Sequence, residues 1–173
     1  MSTVRFIADL HLGHENCAQR RHFNSSEDHD EFLIKQWNSV VGKKDITYIL
    51  GDITMETSKH YHKLDRLNGI KYVVLGNHDM ARDIPELLKY VTKVSGMVQY
   101  KGLWLTHCPV HVTELEYRVP RNIHGHLHDK TVTKTVYEYG YSVGKIDDER
   151  YVCVSCDQID FKPKTLEELG IKR

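Results

Sequence analysis

The stretch KYVVLGNHD, residues 71–79, joins a short apolar run to a polar cluster. The run over Lys71–Leu75 predicts a buried β-strand, and the cluster 76–79 (GNHD) follows at its end. Two earlier segments, 3–9 (TVRFIAD) and 46–52 (ITYILGD), have the same plan. The carboxyl ends of three predicted strands therefore carry polar residues, and this is the edge at which open α/β sheets bind ligands.

Predicted helices alternate with these strands in the first half of the chain. One helix is predicted between Ser25, which can cap it, and Gly42, which can end it. A second is predicted between Thr57 and Leu67, and a short third one around Ile84–Tyr90. The order β-α-β-α-β-α is typical of an α/β fold.

The second half of the chain changes to mostly β-structure. Its predicted strands are Met97–Tyr100, Leu103–His107, Asn122–Gly125, Thr131–Tyr137 and Tyr151–Ser155. A capping box over Thr165–Glu168 predicts a short final helix. We therefore expect one α/β domain over residues 1–173, with two layered β-sheets flanked by helices.

Charge and hydropathy exclude several classes of protein. The 173 residues include 24 Lys and Arg against 24 Asp and Glu, so the formal net charge is zero. This balance gives no global electrostatic reason to bind nucleic acid or a membrane surface. The longest apolar runs, such as Tyr72–Leu75, are far too short to span a bilayer, and the N-terminus shows no apolar signal segment. We expect a cytoplasmic protein without a membrane partner, and the oligomeric state stays open.

Four cysteines in a chain without a secretion signal favour free thiols over disulfides. Cys153 and Cys156 form a C-x-x-C pattern, which is also typical of redox and zinc sites. The segment around them predicts a strand, however, and residues three apart on a strand point to opposite faces. We therefore favour separate free thiols.

Histidine is frequent, with 12 in the chain, and several lie at predicted strand ends. His107 ends one strand of the second half, and HGHLH, residues 124–128, closes another. Imidazole and carboxylate ligands together favour Mn, Fe, Zn or Ni over Ca or Mg. Asn77 can add a neutral carbonyl oxygen, and Asp52 has two oxygens with which to bridge two ions.

Each motif alone has an ordinary explanation. Residues 9–11 (DLH) could form a solvated loop, 77–79 (NHD) a turn, and 124–128 a polar strand end. Their joint occurrence at successive strand ends is harder to explain in that way. It indicates a metal centre that five chain segments build together.

The ordered motifs resemble those of the calcineurin-like metallophosphoesterase superfamily, whose pattern is D-x-H, G-D, G-N-H-[DE], a single H, and G-H-x-H. This chain matches the pattern with Asp9-Leu10-His11, Gly51-Asp52, Gly76-Asn77-His78-Asp79, His107 and Gly125-His126-Leu127-His128. The segments DLHLGHEN, FLIKQWN and KPKTLEEL are also similar to small capless bacterial and phage members. The resemblance implies the four-layer αββα sandwich of that superfamily.

The resemblance also implies a role for each matched residue. One metal ion would be held by Asp9, His11 and His128, the other by Asn77, His107 and His126, with Asp52 as the bridge. His78 would act on the phosphate as general acid or charge stabiliser, and Asp79 would orient it. Two divalent ions per chain are implied, and the ligand types favour Mn, with Fe, Zn or Ni as alternatives.

The implied activity is hydrolysis of a phosphate ester by a hydroxide that two metals activate, with His78 as general acid. The short chain leaves little room for insertions that shape a protein-binding groove, which favours a phosphodiesterase with a small, nucleotide-like substrate. A phosphomonoesterase or protein phosphatase is one alternative. A non-catalytic interaction scaffold is another, although scaffolds usually lack ligands or the catalytic histidine, and here all are intact.

Three further positions are weaker candidates. His14, in the DLHLGHEN segment, could touch the phosphate or lie outside the metal ligands. His111 follows His107 by four residues and is expected to lie near the site. The pair Arg20-Arg21 could grip an anionic substrate, because guanidinium groups match phosphate geometry, although charged pairs are more often plain surface.

Overall fold

Two four-stranded sheets and a separate hairpin make up the β-structure in a computed structural model that describes residues 2–171. The strands are β1 (Val4–Ile7), β2 (Ile46–Ile49), β3 (Ile70–Val74), β4 (Lys93–Ser95), β5 (Val98–Tyr100), β6 (Leu103–Leu105), β7 (Arg121–His124), β8 (Thr133–Glu138), β9 (Tyr141–Asp147) and β10 (Tyr151–Cys153). The α-helices are α1 (Glu15–Arg20), α2 (Ser26–Val40) and α3 (Ile84–Leu87). Short 3-10 helices cover Tyr61–Arg66, Ala81–Asp83, Val112–Leu115 and Cys156–Gln158. The fold class is therefore mixed α/β.

The first sheet has the order β1-β2-β3-β4 and is parallel throughout. The second sheet has the order β10-β7-β6-β5, in which only the β5–β6 pair is antiparallel. Because the strands of the first sheet run in the same direction, the residues after β1, β2 and β3 emerge at one edge. That edge carries the polar clusters.

A single hydrophobic cluster draws side chains from both sheets and from α2. Phe6 and Ile49 enter it from the first sheet, Leu105 and Ile123 from the second, and all four are fully buried. Trp37 of α2 is also fully buried, and its indole nitrogen donates a hydrogen bond to the Asn68 carbonyl at 3.0 Å. Each such side chain contributes roughly 1.5–3 kcal/mol through burial.

The carboxyl ends of the two sheets meet at β1 and β10. The amide of Ala8 donates to the Val154 carbonyl at 2.8 Å, and the amide of Val154 donates to the His124 carbonyl at 2.8 Å. Gly125 fits against this junction, since an added Cβ would lie 2.5 Å from the Cβ of Ala8. The polar strand ends of both sheets are thereby placed side by side.

Several predicted boundaries were wrong. Helix α1 and strands β4 and β9 were not predicted, because α1 is six residues of mixed polarity, β4 is three residues long, and every residue of β9 is exposed. The helix predicted between Thr57 and Leu67 is a 3-10 helix over Tyr61–Arg66. The capping box at Thr165 forms both of its hydrogen bonds, at 2.8 and 3.2 Å, but encloses a turn.

Among residues 2–171, no helix has both the length and the apolar character needed to cross a membrane.

Candidate metal centre

The segment after β1 brings two polar side chains into the interior. Asp9 and His11 are 0% and 2% exposed, and Leu10 between them belongs to the hydrophobic core. The amide of Asp9 donates to the Gly51 carbonyl and that of His11 to the Asp52 carbonyl, both at 3.0 Å. Backbone pairing with the segment after β2 therefore continues past the strands and fixes both residues at the sheet edge.

Left-handed backbone conformations are concentrated at the predicted ligands. Positive φ angles between 48° and 69° occur at Asp9, His11, Asp52, His126 and His128. Such angles are disfavoured for residues with a Cβ and persist where the surrounding structure holds them, often at functional sites.

Asp9, His11 and His128 form the first donor group, with one ligand atom from each lying within 4.8 Å of the others. The rings of His11 and His128 stack with centroids 5.2 Å apart. The Nδ1 atom of His11 is buried and has no hydrogen-bond partner in the described residues. Burial lowers the pKa of His11 to about 3, so its neutral ring offers a lone pair near pH 7.

Asp9, Asp52 and His107 form a second donor group, in which one ligand atom from each residue also lies within 4.8 Å of the others. The Nδ1 atom of His107 lies 2.8 Å from the Leu50 carbonyl, while Nε2 lies 2.8 Å from Oδ1 of Asn77 and 3.3 Å from Oδ2 of Asp52. Burial lowers the pKa of His107, but the hydrogen bond and charge of Asp52 outweigh it, so the net change is upward.

The surroundings of His107 suit a cation. Nε2 of His107 lies 2.8 Å from Oδ1 of Asn77 and 3.3 Å from Oδ2 of Asp52, and a cation could take the position of the ring proton between them. Together with Nδ1 of His11, which has no hydrogen-bond partner in the described residues, these mixed donors show that the residues present fit a divalent cation, with Asn77 as an oxygen donor.

His126 lies beside both donor groups. Its amide donates to the two carboxylate oxygens of Asp9 at 2.9 and 3.1 Å, and its exposed ring lies 5.1 Å from that of His107, measured between centroids. Ser155 also donates to Asp9, at 2.5 Å. Asp9 is thus oriented by two chain segments that come from the second half of the sequence.

Gly51 is required for this packing. Its φ is +86°, and a Cβ added there would lie 2.5 Å from Nδ1 of His107. A side chain at this position would displace the histidine and strain the backbone.

The Asp79 carboxylate binds backbone amides of two neighbouring segments. Its carboxylate accepts hydrogen bonds from the amides of Asp52, Ile53 and Gly76 at 2.8–3.1 Å. It therefore links the segment after β2 to the segment after β3 through backbone amides. That Asp79 orients His78 stays a prediction, and any such effect would act through the backbone of this segment.

Glu56 is the acidic residue that contacts the His78 ring. Its Oε1 lies 3.2 Å from Nδ1 of His78, and its amide donates to the His78 carbonyl at 3.1 Å. The amide of His78 donates to Oδ1 of Asp52 at 2.9 Å. The His78 side chain is 28% exposed, and Nε2, the nitrogen away from Glu56, is free to meet a ligand.

Asp157 and Arg21 lie next to the first donor group and support it through hydrogen bonds. Oδ2 of Asp157 lies 3.0 Å from Nδ1 of His128, and Arg21 donates to both oxygens of Asp157 at 2.7 and 3.0 Å. Arg21 also donates to the Asp9 carbonyl at 2.8 Å. Burial would raise the pKa of Asp157, but the hydrogen bonds from His128 and Arg21 outweigh it and hold the pKa well below its usual range.

The two arginines predicted to bind an anionic substrate, Arg20 and Arg21, lie in different environments. The Arg21 side chain is 4% exposed and is hydrogen-bonded to Asp157 and to the Asp9 carbonyl, so it supports the site residues. Arg20 is exposed and lines the open cleft. No local sequence pattern identifies Asp157, which reaches His128 only through the folding of the last segment.

We expect Asp157→Asn to weaken cation binding at the Asp9–His11–His128 group by about 10–100-fold, because partners behind a histidine ligand orient it and raise its basicity. Calorimetric titration with Mn²⁺ measures the effect. Asp129→Asn is the matched control, since it removes the same charge from an exposed residue of the same cleft. Equal affinities for wild type and Asp157→Asn would contradict this role.

An open cleft of about 1010 Å³ gives access to the donor groups. Its lining includes His14, whose ring lies 6.0 Å from that of His11, measured between centroids, together with His78 and Lys130. His111 is exposed and lies 2.9 Å from the Thr113 hydroxyl, outside the cleft lining.

Comparison with known proteins identifies relatives of the whole chain. No protein-family model matches it. The Gene 66 protein of Mycobacterium phage D29 is 31% identical over an alignment that covers 79% of this chain and 83% of the phage protein. An uncharacterized protein of Methanocaldococcus jannaschii is 31% identical, with coverage of 96% and 89%. A protein of unknown function from Aquifex aeolicus has the same fold, with a TM-score of 0.70, 22% identity and 98% coverage of both chains. By its similarity over most of its length, this chain belongs to the family of the phage Gene 66 protein and the Methanocaldococcus jannaschii protein.

Proposed function

We propose that the protein is a metal-dependent phosphoesterase, most simply a phosphodiesterase, of the calcineurin-like metallophosphoesterase superfamily. The observation that carries the proposal is the convergence of four strand-end segments on two compact donor groups that share Asp9, with Asn77 of a fifth segment 2.8 Å from His107. We extend the proposal to the four-layer αββα arrangement implied by the motifs.

Two divalent cations would occupy these groups. Asp9, His11 and His128 would hold one, Asn77, His107 and His126 the other, and Asp52 would serve both. When bound, such cations supply a hydroxide nucleophile near neutral pH and withdraw charge from the phosphoryl oxygens. The mixed nitrogen and oxygen donors support Mn²⁺, with Fe, Zn or Ni as alternatives.

The remaining polar groups of the cleft would bind and protonate the substrate. Nε2 of His78 can donate a proton to the leaving oxygen, because Glu56 engages Nδ1 and fixes the ring. Arg20 and Lys130 line the same cleft and can attract a phosphate anion. His14 is placed to contact the substrate from the side of α1.

The shape of the cleft supports a small diester substrate, such as a nucleotide-like phosphodiester. The cleft is open, and its lining combines His11, His78 and His128 with the cationic side chains of Arg20 and Lys130. The phosphomonoesters are the alternative substrate class and form the comparison arm of the test.

Hydrolysis of an aryl phosphodiester by the purified protein should depend on added divalent metal. Chelation is expected to abolish turnover, and Mn²⁺ should restore it better than Mg²⁺, because the donor set includes imidazole. The screen should include cyclic nucleotides and phosphomonoesters at equal concentrations. Full activity in a sample shown by elemental analysis to be free of metal would rule the proposal out.

A further inference from the structure

Cys108 is the exposed cysteine of the chain and lies beside the second donor group. Its Sγ and one ring nitrogen each from His107 and His126 lie within 4.8 Å of one another. The other thiols are placed differently: Cys17 and Cys156 are buried, and Cys153 lies 3.1 Å from the Ser155 hydroxyl. Cys108 is thus the thiol that combines solvent access with two neighbouring imidazoles.

The backbone of Cys108 is fixed by its surroundings. The Thr106 hydroxyl donates to the Cys108 carbonyl at 2.6 Å, and Nδ2 of Asn122 donates to that hydroxyl at 2.9 Å. Pro109 follows and restricts the conformation of Cys108 further. The backbone of Cys108 is therefore fixed next to His107, and the thiol can move only by rotation of its own side chain.

A bound cation would change the electrostatic environment of the Cys108 thiol. A divalent cation bound beside Asp52 and Asp9 would offset the charge of these carboxylates, and a cation ionises a thiol that coordinates it. The thiol proton then passes to the buffer as the metal–sulfur bond forms.

We propose that Sγ of Cys108 is a ligand of the cation held by His107 and His126, so that the two metal positions differ in chemistry. This inference rests on the proposed metal centre and adds a soft donor to one of its positions. Two imidazoles and a thiolate favour Zn²⁺ over Mn²⁺, whereas Asp9, His11 and His128 offer only nitrogen and oxygen. The sulfur and nitrogen atoms lie within 4.8 Å of one another, so small side-chain movements would bring them to the spacing of zinc ligands, about 3.5 Å.

Cobalt substitution tests the inference because Co²⁺ bound by a thiolate gives a near-ultraviolet sulfur-to-metal charge-transfer band. Wild-type protein titrated with Co²⁺ should develop this band, and Cys108→Ser should lack it. The Cys153→Ser variant is the matched control and should keep the band. Zn²⁺ should also slow labelling of Cys108 by a thiol-reactive disulfide, and Cys108→Ser should lower the Zn²⁺ affinity of one position by at least about tenfold.

The outcomes separate this inference from the proposed function. Two equivalents of bound metal with full hydrolysis, but no charge-transfer band and unchanged thiol labelling, would overturn the role of Cys108 and leave the phosphoesterase intact. A band that persists in Cys108→Ser would also overturn it. A protein that binds no cation would overturn both.

Discussion

His78→Ala should lower the turnover of a phosphodiester by about 10²–10⁴-fold, the usual contribution of a positioned general acid. Its metal content should not change, because the ring of His78 faces Glu56 and the cleft while the donor groups are formed by other residues. Single-turnover kinetics and elemental analysis of the same preparation measure the two effects separately.

The way the activity loss in His78→Ala depends on the leaving group identifies the role of His78. Loss of activity should be small for a nitrophenyl ester, whose leaving oxygen departs without a proton, and large for an alkyl ester. Glu56→Gln should show the same dependence with a smaller loss, since it keeps the ring but removes its charged partner. Exposed His62, which contacts the Lys59 carbonyl, provides the control substitution to Ala.

Two results would contradict this assignment of His78. Loss of a metal ion in His78→Ala would make the residue a ligand. An equal loss for both leaving groups would mean that His78 stabilises charge on the phosphoryl group and does not donate a proton.

Asp52→Asn should disrupt both metal positions at once and abolish most of the hydrolysis. The Asp52 carboxylate lies 3.3 Å from Nε2 of His107 and 3.9 Å from Nε2 of His11, so it faces both donor groups. An amide loses the negative charge and one acceptor oxygen. Elemental analysis should find well under two equivalents of metal per chain, the number a two-metal site requires.

The substitution Asp148→Asn controls for general destabilisation. Asp148 is also a buried carboxylate, but it pairs with Arg150 away from the donor groups. This variant should keep its metals even if its melting temperature falls. Two tightly bound ions and wild-type turnover in Asp52→Asn would show that Asp52 does not bridge the centre.

Local sequence pattern was sufficient to predict which strand-end residues the structure brings together. Strands β1, β2 and β3 occur within a residue or two of the predicted runs, because short stretches of β-branched and aromatic residues bounded by glycine or aspartate have few other stable conformations. The polar residues that follow them had to meet at one edge once the strands paired in parallel. The donor groups therefore follow from motifs that are each contained in a few consecutive residues.

Local sequence pattern did not predict the elements that bury few side chains. Strand β9 is exposed along its length and is defined by backbone pairing with β8, so no apolar alternation marks it. Helix α1 is short and lacks a side-chain cap.

The sequence by itself determined which histidines and carboxylates follow the strands, because residue type and position after a strand are local properties. Tertiary structure alone decided which groups support those ligands: Asp157 reaches His128 across 29 residues, and Ser155 reaches Asp9 across 146. It also decided that Asp79 binds backbone amides while Glu56 meets His78. Hydrogen bonds between distant segments depend on how the two sheets join at Ala8 and Val154, and no short stretch of the sequence contains that information.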